Sequence, residues 1–342
     1  MDQTLNPEAE KSSVCASCSS PEVLNDYPVK LCANCRNHFI KYPIPIWVRL
    51  FGAGVVLLML ISMLWLPKNF HAAIALSRAE KAEKTRNYIT EENELRDAIK
   101  AAPNSLQILS HLAIASFYNN NFTTLDSVLD KLKGKNLDDT SLVNRVNDVI
   151  ESSKSFMPTA VYDSSFVRYK NKVIPDTALI RFIRQHSTDT YASLILASSY
   201  VDQEKYGSAD TILTHALDVD PKFLPALEIK GMLKREINQI DSSLYYCDKV
   251  LAINNQSLYA LSSKARTILK SGNHVEGLKI ANLVFKLNSH FQYNLATLAI
   301  AYHLNQDFKK RDAILGLAAK DSVLASYLSY VKDVISGKVV YK

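Results

Sequence analysis

The chain has 342 residues, of which 47% are hydrophobic and 22% are charged, and this composition is that of a folded protein with room for two or three domains. Its nine glycines are few, and the short signatures of nucleotide binding, zinc proteolysis and serine hydrolysis are absent, so the sequence predicts no enzyme and no catalytic residue. The net charge of +6 arises after residue 49 and is spread over a long region. A nucleic-acid surface needs clustered basic residues, so we expect no nucleic-acid partner.

Four cysteines near the start of the chain form two CxxC pairs: Cys15 with Cys18, and Cys32 with Cys35. Each CxxC turn offers two thiolates to one metal, and two turns complete the tetrahedral set that Zn²⁺ prefers. Four thiolates leave no open coordination position, so this spacing predicts a structural Zn²⁺ site rather than a catalytic one. Two disulfides or a redox CxxC are the alternatives, and His38 could replace one thiolate.

Residues 1–42 contain few large apolar side chains, so a metal would have to supply the stability that a core this small cannot. The segment from Cys15 to Phe39 resembles a zinc ribbon. It departs from the usual ribbon turn, which often has proline after the first cysteine and glycine after the second. Here Ala16 and Ser19 occupy those places in the first pair.

An uncharged apolar run follows at Leu50–Leu66, and three apolar residues before Arg49 extend it. About twenty apolar residues in a helix span the ~30 Å of a bilayer core. The only two tryptophans, Trp47 and Trp65, bracket the run as interfacial aromatic residues do, and we expect Pro67 to end the helix. The sequence predicts a transmembrane helix; a buried soluble helix and a cleaved signal peptide are the alternatives.

The orientation of this span is predicted from the cysteines. Arg36, Lys41 and Arg49 precede the span closely, but a comparable number of basic residues follows it within twenty positions, so charge alone does not decide. Thiolates that bind zinc belong in a reducing compartment. We therefore expect a single-pass cell (inner) membrane protein with a cytoplasmic N-terminus and an extracytoplasmic C-terminal region.

The region after the span repeats every 34 residues. Small apolar residues recur at this spacing at Ala216, Val250, Val284 and Ala318, and also at Ala98 and Leu132. The interval between Leu132 and Ala216 is 84 residues, so it contains extra sequence, which we assign to Ser153–Asp176 because that segment has two prolines and no helical periodicity.

Each repeat has the pattern of two amphipathic helices. In residues 190–223 the small and aromatic positions are Ala197, Tyr200, Tyr206, Ala209, Leu213, Ala216 and Pro221. These positions resemble those of the tetratricopeptide repeat (TPR), and the likeness runs from about residue 70 to 325, over roughly six to seven units with a closing helix near 321–336. An unrelated helical bundle is the alternative. The lone Cys247 is expected to be a buried thiol on the second helix of its unit.

The predicted fold class is therefore all-α: a TPR-like α-solenoid, preceded by a small zinc-ribbon-like domain and a single transmembrane helix. The predicted divisions of the chain are 1–42 (zinc-ribbon-like segment), 43–67 (membrane helix with flanks), 68–152 (first repeats), 153–176 (insertion or irregular linker), 177–336 (further repeats and closing helix) and 337–342 (tail).

The resemblance to TPR proteins implies a protein or peptide partner, because that family binds partners in the groove lined by the first helix of each repeat. Tyrosine, methionine and arginine are favoured anchors for partners. The family's groove positions fall in this sequence on Tyr191, Met232, Arg235, Tyr259, Arg266, Tyr293 and His303. The alternative is that the tyrosines pack between helices. The Lys and Asn residues of the family's carboxylate-binding groove are absent, so acidic C-terminal tails are not implied.

The function that these features favour is a membrane-anchored protein-interaction scaffold, with the lipid bilayer and a groove-bound protein or peptide as its partners. One alternative is a transmembrane regulator whose zinc segment contacts a cytosolic partner. Another is an accessory subunit of a membrane enzyme or of a secretion assembly.

Overall fold

The structure is a computed structural model that describes residues 14–24, 26–40, 45–170, 172–318 and 325–341. The chain divides into two compact units, Met1–Pro67 and Lys68–Lys342. Lys41, which entered the charge argument above, lies outside the described residues.

The described residues form helices and no strands, which confirms the all-α prediction. The elements are α1 (Ala33–Ile40), α2 (Ile46–Lys84), α3 (Tyr88–Ala101), α4 (Leu106–Tyr118), α5 (Phe122–Leu132), α6 (Thr140–Lys154), α7 (Ala160–Phe166), a 3₁₀ helix (Val167–Tyr169), α8 (Asp176–Gln185), α9 (Thr190–Asp202), α10 (Tyr206–Val219), α11 (Leu224–Glu236), α12 (Ile240–Ile253), α13 (Leu258–Lys270), α14 (His274–Leu287), α15 (Gln292–Leu304), α16 (Phe308–Ala318) and α17 (Ala325–Ile335).

Short polar side chains mark where several of these helices begin. The side chains of Ser105, Asp139, Asp189 and Ser257 each accept a hydrogen bond from the backbone N–H three residues later, at the start of α4, α6, α9 and α13. Such a cap satisfies one of the backbone donors that a helix leaves unpaired at its first turn. The sequence therefore sets these helix starts locally, before any packing is considered.

One turn conformation recurs along the solenoid. The residue two positions after the end of α2, α4, α9, α11, α13 and α15 has a positive φ in every case: Arg86, Asn120, Glu204, Asn238, Gly272 and Gln306. Successive members are 34 residues apart, except for the 84 residues between Asn120 and Glu204. Each of these six helices is the first of its repeat, and the left-handed residue reverses the chain after it. The 34-residue period predicted from the sequence therefore also appears in the backbone conformation of the turns.

Small residues let the paired helices approach closely. Ala197 on α9 packs with Ala209, Leu213 and Ala216 on α10, and all four are fully buried. In the α13–α14 pair the approach is tighter still, because a Cβ atom on Gly277 would lie 2.6 Å from the Cγ atom of Leu269. These contacts, and their equivalents in the pairs α11–α12 and α15–α16, confirm the predicted TPR-like α-solenoid.

The first repeat begins inside α2. This helix continues through residue 67 to Lys84, and Ala72, Ala75 and Ala79 in its second half are buried. The prediction that Pro67 ends the helix is therefore wrong. A proline inside a helix removes one backbone hydrogen bond and crowds the preceding turn, at a cost of roughly 3 kcal/mol, but it does not by itself end the helix.

The segment predicted as an insertion is partly helical. Between the end of α6 and the start of α8 the chain forms α7 and the 3₁₀ helix. Phe156, just after α6, packs against the rings of Phe117 and Phe223 at centroid distances of 5.5 and 5.3 Å. This side chain therefore joins the core of the first repeats to that of the later ones.

A second contact joins distant parts of the solenoid. The backbone N–H of Asn255 donates to the carbonyl oxygen of Arg86 (3.0 Å), and its side-chain amide donates to the carbonyl oxygen of Thr85 (2.6 Å). Nearby, the N–H of Thr90 donates to Oε1 of Gln256 (2.9 Å). The turn after α2 is therefore bonded to the turn after α12.

The last repeat is closed by α17, which packs on α15 through Val331 and Val334. Residues 321–324 of the predicted closing helix lie outside the described residues. Cys247 is a buried free thiol on α12, as predicted.

Candidate functional site

The four predicted cysteine ligands lie together. Their sulfur atoms are all within 4.8 Å of one another, and the Sγ atoms of Cys18 and Cys32 are 3.6 Å apart. Zn–S bonds of about 2.3 Å in a tetrahedron place the sulfurs about 3.8 Å apart. The donor set therefore has the chemistry and the dimensions of a zinc-ribbon-like site.

The backbone around the cysteines supports this arrangement. The N–H of Cys32 donates to Sγ of Cys15 (3.2 Å), and the N–H of Cys35 donates to Sγ of Cys32 (3.4 Å). Ser19, where a zinc ribbon usually has glycine, takes the left-handed φ of 58° that glycine would favour. The departure from the usual ribbon sequence has therefore left the turn geometry intact.

Sulfur atoms this close affect one another's protonation. The neighbouring Cys18 side chain raises the pKa of the Cys35 thiol to about 12, whereas the backbone N–H of Cys32 lowers the pKa of Cys15 to about 6. Four thiolates cannot share this volume without a compensating cation.

The predicted groove residues fall into three groups. Met232, Tyr259 and Tyr293 lie together along a cleft of about 440 Å³. The first helices α9, α11, α13 and α15 line most of it, and the second helix α12 contributes Cys247 and Val250. Tyr259 is 48% exposed, and its ring meets that of Tyr293 at a centroid distance of 6.4 Å. Leu194 and Ile229 add apolar side chains to the cleft wall, which also includes Glu228.

Arg235 and Arg266 form a second group, which lies below the surface. They are 4% and 8% exposed. The Arg235 guanidinium donates to Oγ of Ser263 (3.0 Å), while that of Arg266 donates to Oγ1 of Thr297 (2.8 Å) and stacks on the Tyr293 ring at 4.0 Å. Despite the effect of burial, Arg235 and Arg266 hold the pKa of Tyr293 below its usual value. Both arginines are therefore engaged within the protein.

The segment after α17 returns to the same region. The hydroxyl of Tyr341 donates to the carbonyl oxygen of Arg266 (3.3 Å), and Val339 packs with the core of the last repeats. Burial raises the pKa of the Tyr341 hydroxyl. The chain's own residues thus cover the surroundings of Arg266, and the open part of the groove lies around Met232 and Tyr259.

Tyr191 and His303 form the third group, because each lies apart from the cleft. Tyr191 packs edge-on against Tyr162 at 5.0 Å in the core of α7–α9. His303 contacts Arg311 (3.4 Å) and the ring of Phe308, and its burial lowers its pKa.

One cluster was missed by the sequence analysis. Glu83, Glu91 and His111 lie on α2, α3 and α4, and one ligand atom of each is within 4.8 Å of the others. Burial raises the pKa of Glu91 to about 7. No spacing rule for a single helix would find this cluster, because its members come from three helices.

Among the described residues, α2 is the one helix with a segment long and apolar enough to cross a membrane, and this segment is its first part. Its segment Ile46–Met63 has a mean hydropathy of 2.1, and none of it is buried. By length and composition this segment suits a membrane anchor.

Comparison with known proteins gives one sequence relative. The chain matches no known protein family profile. A protein of Methanocaldococcus jannaschii, TPR repeat-containing protein MJ1428, is 24% identical over 148 residues, which are 43% of this chain and 25% of that protein. The chain thus spans about a quarter of the length of this relative.

Solved structures of repeat proteins align with the chain at low scores. A tetratricopeptide repeat protein from Parabacteroides merdae is 14% identical with a TM-score of 0.38, covering 78% of this chain and 86% of that one. PilF from Pseudomonas aeruginosa is 12% identical with a TM-score of 0.32, covering 78% of this chain and 99% of that one. The helix pairs and the recurring turn of the chain itself form a TPR-like solenoid, and the relative from Methanocaldococcus jannaschii is named as a TPR repeat-containing protein.

Proposed function

We propose that this protein is a membrane-anchored interaction scaffold that binds a protein or peptide partner in the open part of its groove. The observation that carries the proposal is the largely apolar cleft at Met232, Tyr259 and Tyr293, lined mainly by first helices. A half-exposed tyrosine beside a methionine is a favoured anchor for a partner. The partner segment that fits these walls has a large apolar side chain.

A photo-reactive amino acid at position 259 tests this proposal in cells that make the full chain. Tyr245 on α12 is the matched control position, because it is 53% exposed and does not line the cleft. We expect position 259 to crosslink a defined partner that position 245 does not. The same proteins captured from both positions would contradict the proposal.

Affinity for that partner gives the second measurement. Tyr259→Ala should weaken binding by roughly 2 kcal/mol, about thirtyfold in Kd, whereas Tyr245→Ala should leave it unchanged. Thermal melting of both variants should stay close to that of the wild type, because neither side chain is buried in a core. Unchanged binding of Tyr259→Ala would move the partner site elsewhere, for example to residues 153–176.

We further propose that the four cysteines hold a structural Zn²⁺, and that α2 spans the membrane with the cysteines in the cytoplasm. The sulfur distances and the unburied apolar segment support these two proposals. Protease added outside intact cells should then digest the solenoid and spare a tag at the N-terminus. A protected solenoid would reverse the orientation.

A further inference from the structure

The cluster on α2, α3 and α4 is separate from both the cysteines and the groove. His111 is 6% exposed, Glu91 is fully buried, and Glu83 is partly buried. A carboxylate is almost never fully buried unless a cation or hydrogen bonds compensate it. The buried carboxylate of Glu91 therefore needs a cation or hydrogen-bond donors beside it.

The hydrogen bonds of the cluster leave Glu91 without a donor. Nδ1 of His111 lies 2.8 Å from Oε2 of Glu83 and 3.7 Å from Oε1 of Glu91. A nitrogen carries one hydrogen at most, and here Glu83 is the nearer acceptor. Neither carboxylate oxygen of Glu91 accepts a hydrogen bond from any described residue. A buried pair of acceptors thus points at the imidazole without a partner.

The charges of the cluster are also unbalanced. Oε1 of Glu80 lies 3.8 Å from Nε2 of His111, and Arg145 forms an ion pair with Glu83. Three carboxylates thus face one guanidinium and one imidazole. With all three carboxylates ionised, one negative charge remains even when the imidazole is protonated. A divalent cation in place of the imidazole proton would bring these five groups to neutrality.

The other charged groups at this place are at its margin. A cavity of about 400 Å³ lies beside His111, and Lys84, Arg86 and Asp139 are among the residues that line it. Lys84 and Arg86 are exposed, so water screens their charges from Glu91. The cavity leads from solvent to His111, which gives an ion a path of entry.

We propose that Glu83, Glu91 and His111 bind a divalent first-row transition cation. One imidazole nitrogen with carboxylate oxygens suits Mn²⁺ or Zn²⁺ better than Ca²⁺, which takes six to eight oxygen ligands. Binding displaces the imidazole proton at Nδ1, and the carboxylate of Glu91 becomes a ligand. Arg145 holds Glu83 in place, and water from the cavity completes the coordination.

Manganese titration of the full chain in detergent tests the site. Thiolates prefer zinc, so a single equivalent of Zn²⁺ per chain is added first to load the cysteines and leave the cluster free for Mn²⁺. The free Mn²⁺ signal in electron paramagnetic resonance measures binding. We expect about one bound Mn²⁺ per wild-type chain, and affinity at least about tenfold weaker in Glu91→Gln, which keeps the side-chain shape. Glu94→Gln, on the same helix α3 but outside the cluster, is the matched control and should bind as the wild type does.

The melting temperature supplies a second, independent readout of Mn²⁺ binding. Saturating Mn²⁺ should raise the melting temperature of the wild type and of Glu94→Gln, but not that of Glu91→Gln, while Mg²⁺ should raise none. The proposal is overturned if the wild type binds no Mn²⁺, or if Glu91→Gln binds it as tightly as the wild type. Zinc content lost in Cys35→Ser but not in Glu91→Gln would report on the cysteine site alone.

Discussion

The cysteine segment and the helical repeats are stabilised by different means. In the described part of residues 14–40 the buried side chains are Cys15 and Cys32, while Leu24, Tyr27 and Val29 are exposed. The repeats instead bury continuous clusters of alanine, leucine and aromatic side chains. A segment without an apolar core needs another source of stability, which the proposed zinc would supply, whereas a solenoid depends on the fit between neighbouring helices.

The largest effect should come from breaking the cysteine site. Cys35→Ser should abolish the bound zinc and make residues 14–40 sensitive to protease, because a structural zinc in such a segment contributes an apparent ~10–16 kcal/mol. The melting of the solenoid should not change. Zinc content and limited proteolysis of the full chain measure this, with Cys247→Ala as the control that keeps the zinc and loses solenoid stability. A variant whose cysteine segment stays protease-resistant would show that this segment has a core of its own.

A substitution in the core of the repeats should lower the stability of the solenoid and leave the cysteine site unchanged. Leu298 on α15 is fully buried, so Leu298→Ala should lower the free energy of unfolding of the solenoid by roughly 2–5 kcal/mol and leave the zinc content unchanged. Leu317→Ala on α16 is the control, because that side chain is 47% exposed and should cost less than about 0.5 kcal/mol. If chemical denaturation showed equal losses of unfolding free energy in Leu298→Ala and Leu317→Ala, the buried packing of Leu298 would not explain the stability of the solenoid.

A single added methyl group sharpens the same comparison. Gly277→Ala should destabilise the solenoid by about 1–3 kcal/mol, since its Cβ would lie 2.6 Å from Leu269. Gly207→Ala, near the start of α10, meets no atom within 4 Å and should be neutral or stabilising by up to about 1 kcal/mol. The sign of the difference between these variants in thermal melting tests whether close helix approach or helix propensity dominates.

The smallest effect concerns pH. Burial raises the pKa of Glu228, which lines the groove, from 4.5 to about 7, although Ser257 donates a hydrogen bond to it (3.3 Å). The folded state therefore holds a proton that the unfolded state has lost, and this contribution to stability disappears as the pH rises from about 4.5 through 7. Glu228→Gln should make the unfolding free energy less dependent on pH across this window. Parallel curves for variant and wild type would mean that Glu228 stays ionised.

The sequence alone determined the features that depend on neighbouring residues. The spacing of Ala216, Val250 and Val284 predicted the repeat, and the structure adds that the turn conformation recurs with the same period. The CxxC pairs predicted that four sulfur atoms would meet. Periodicity and short spacings carry this information because a helix face or a tight turn is formed by residues close together in the chain.

Only the tertiary structure decided which distant groups meet. The helix α2 continues past Pro67 to Lys84, and two turns about 170 residues apart bond through Asn255 and Thr85. Arg235 looks like a groove anchor in the sequence but lies below the surface, and Glu91 meets His111 only when three helices pack. The physical reason is that each such contact depends on the summed rotation of several helix pairs, which no local pattern in the sequence specifies.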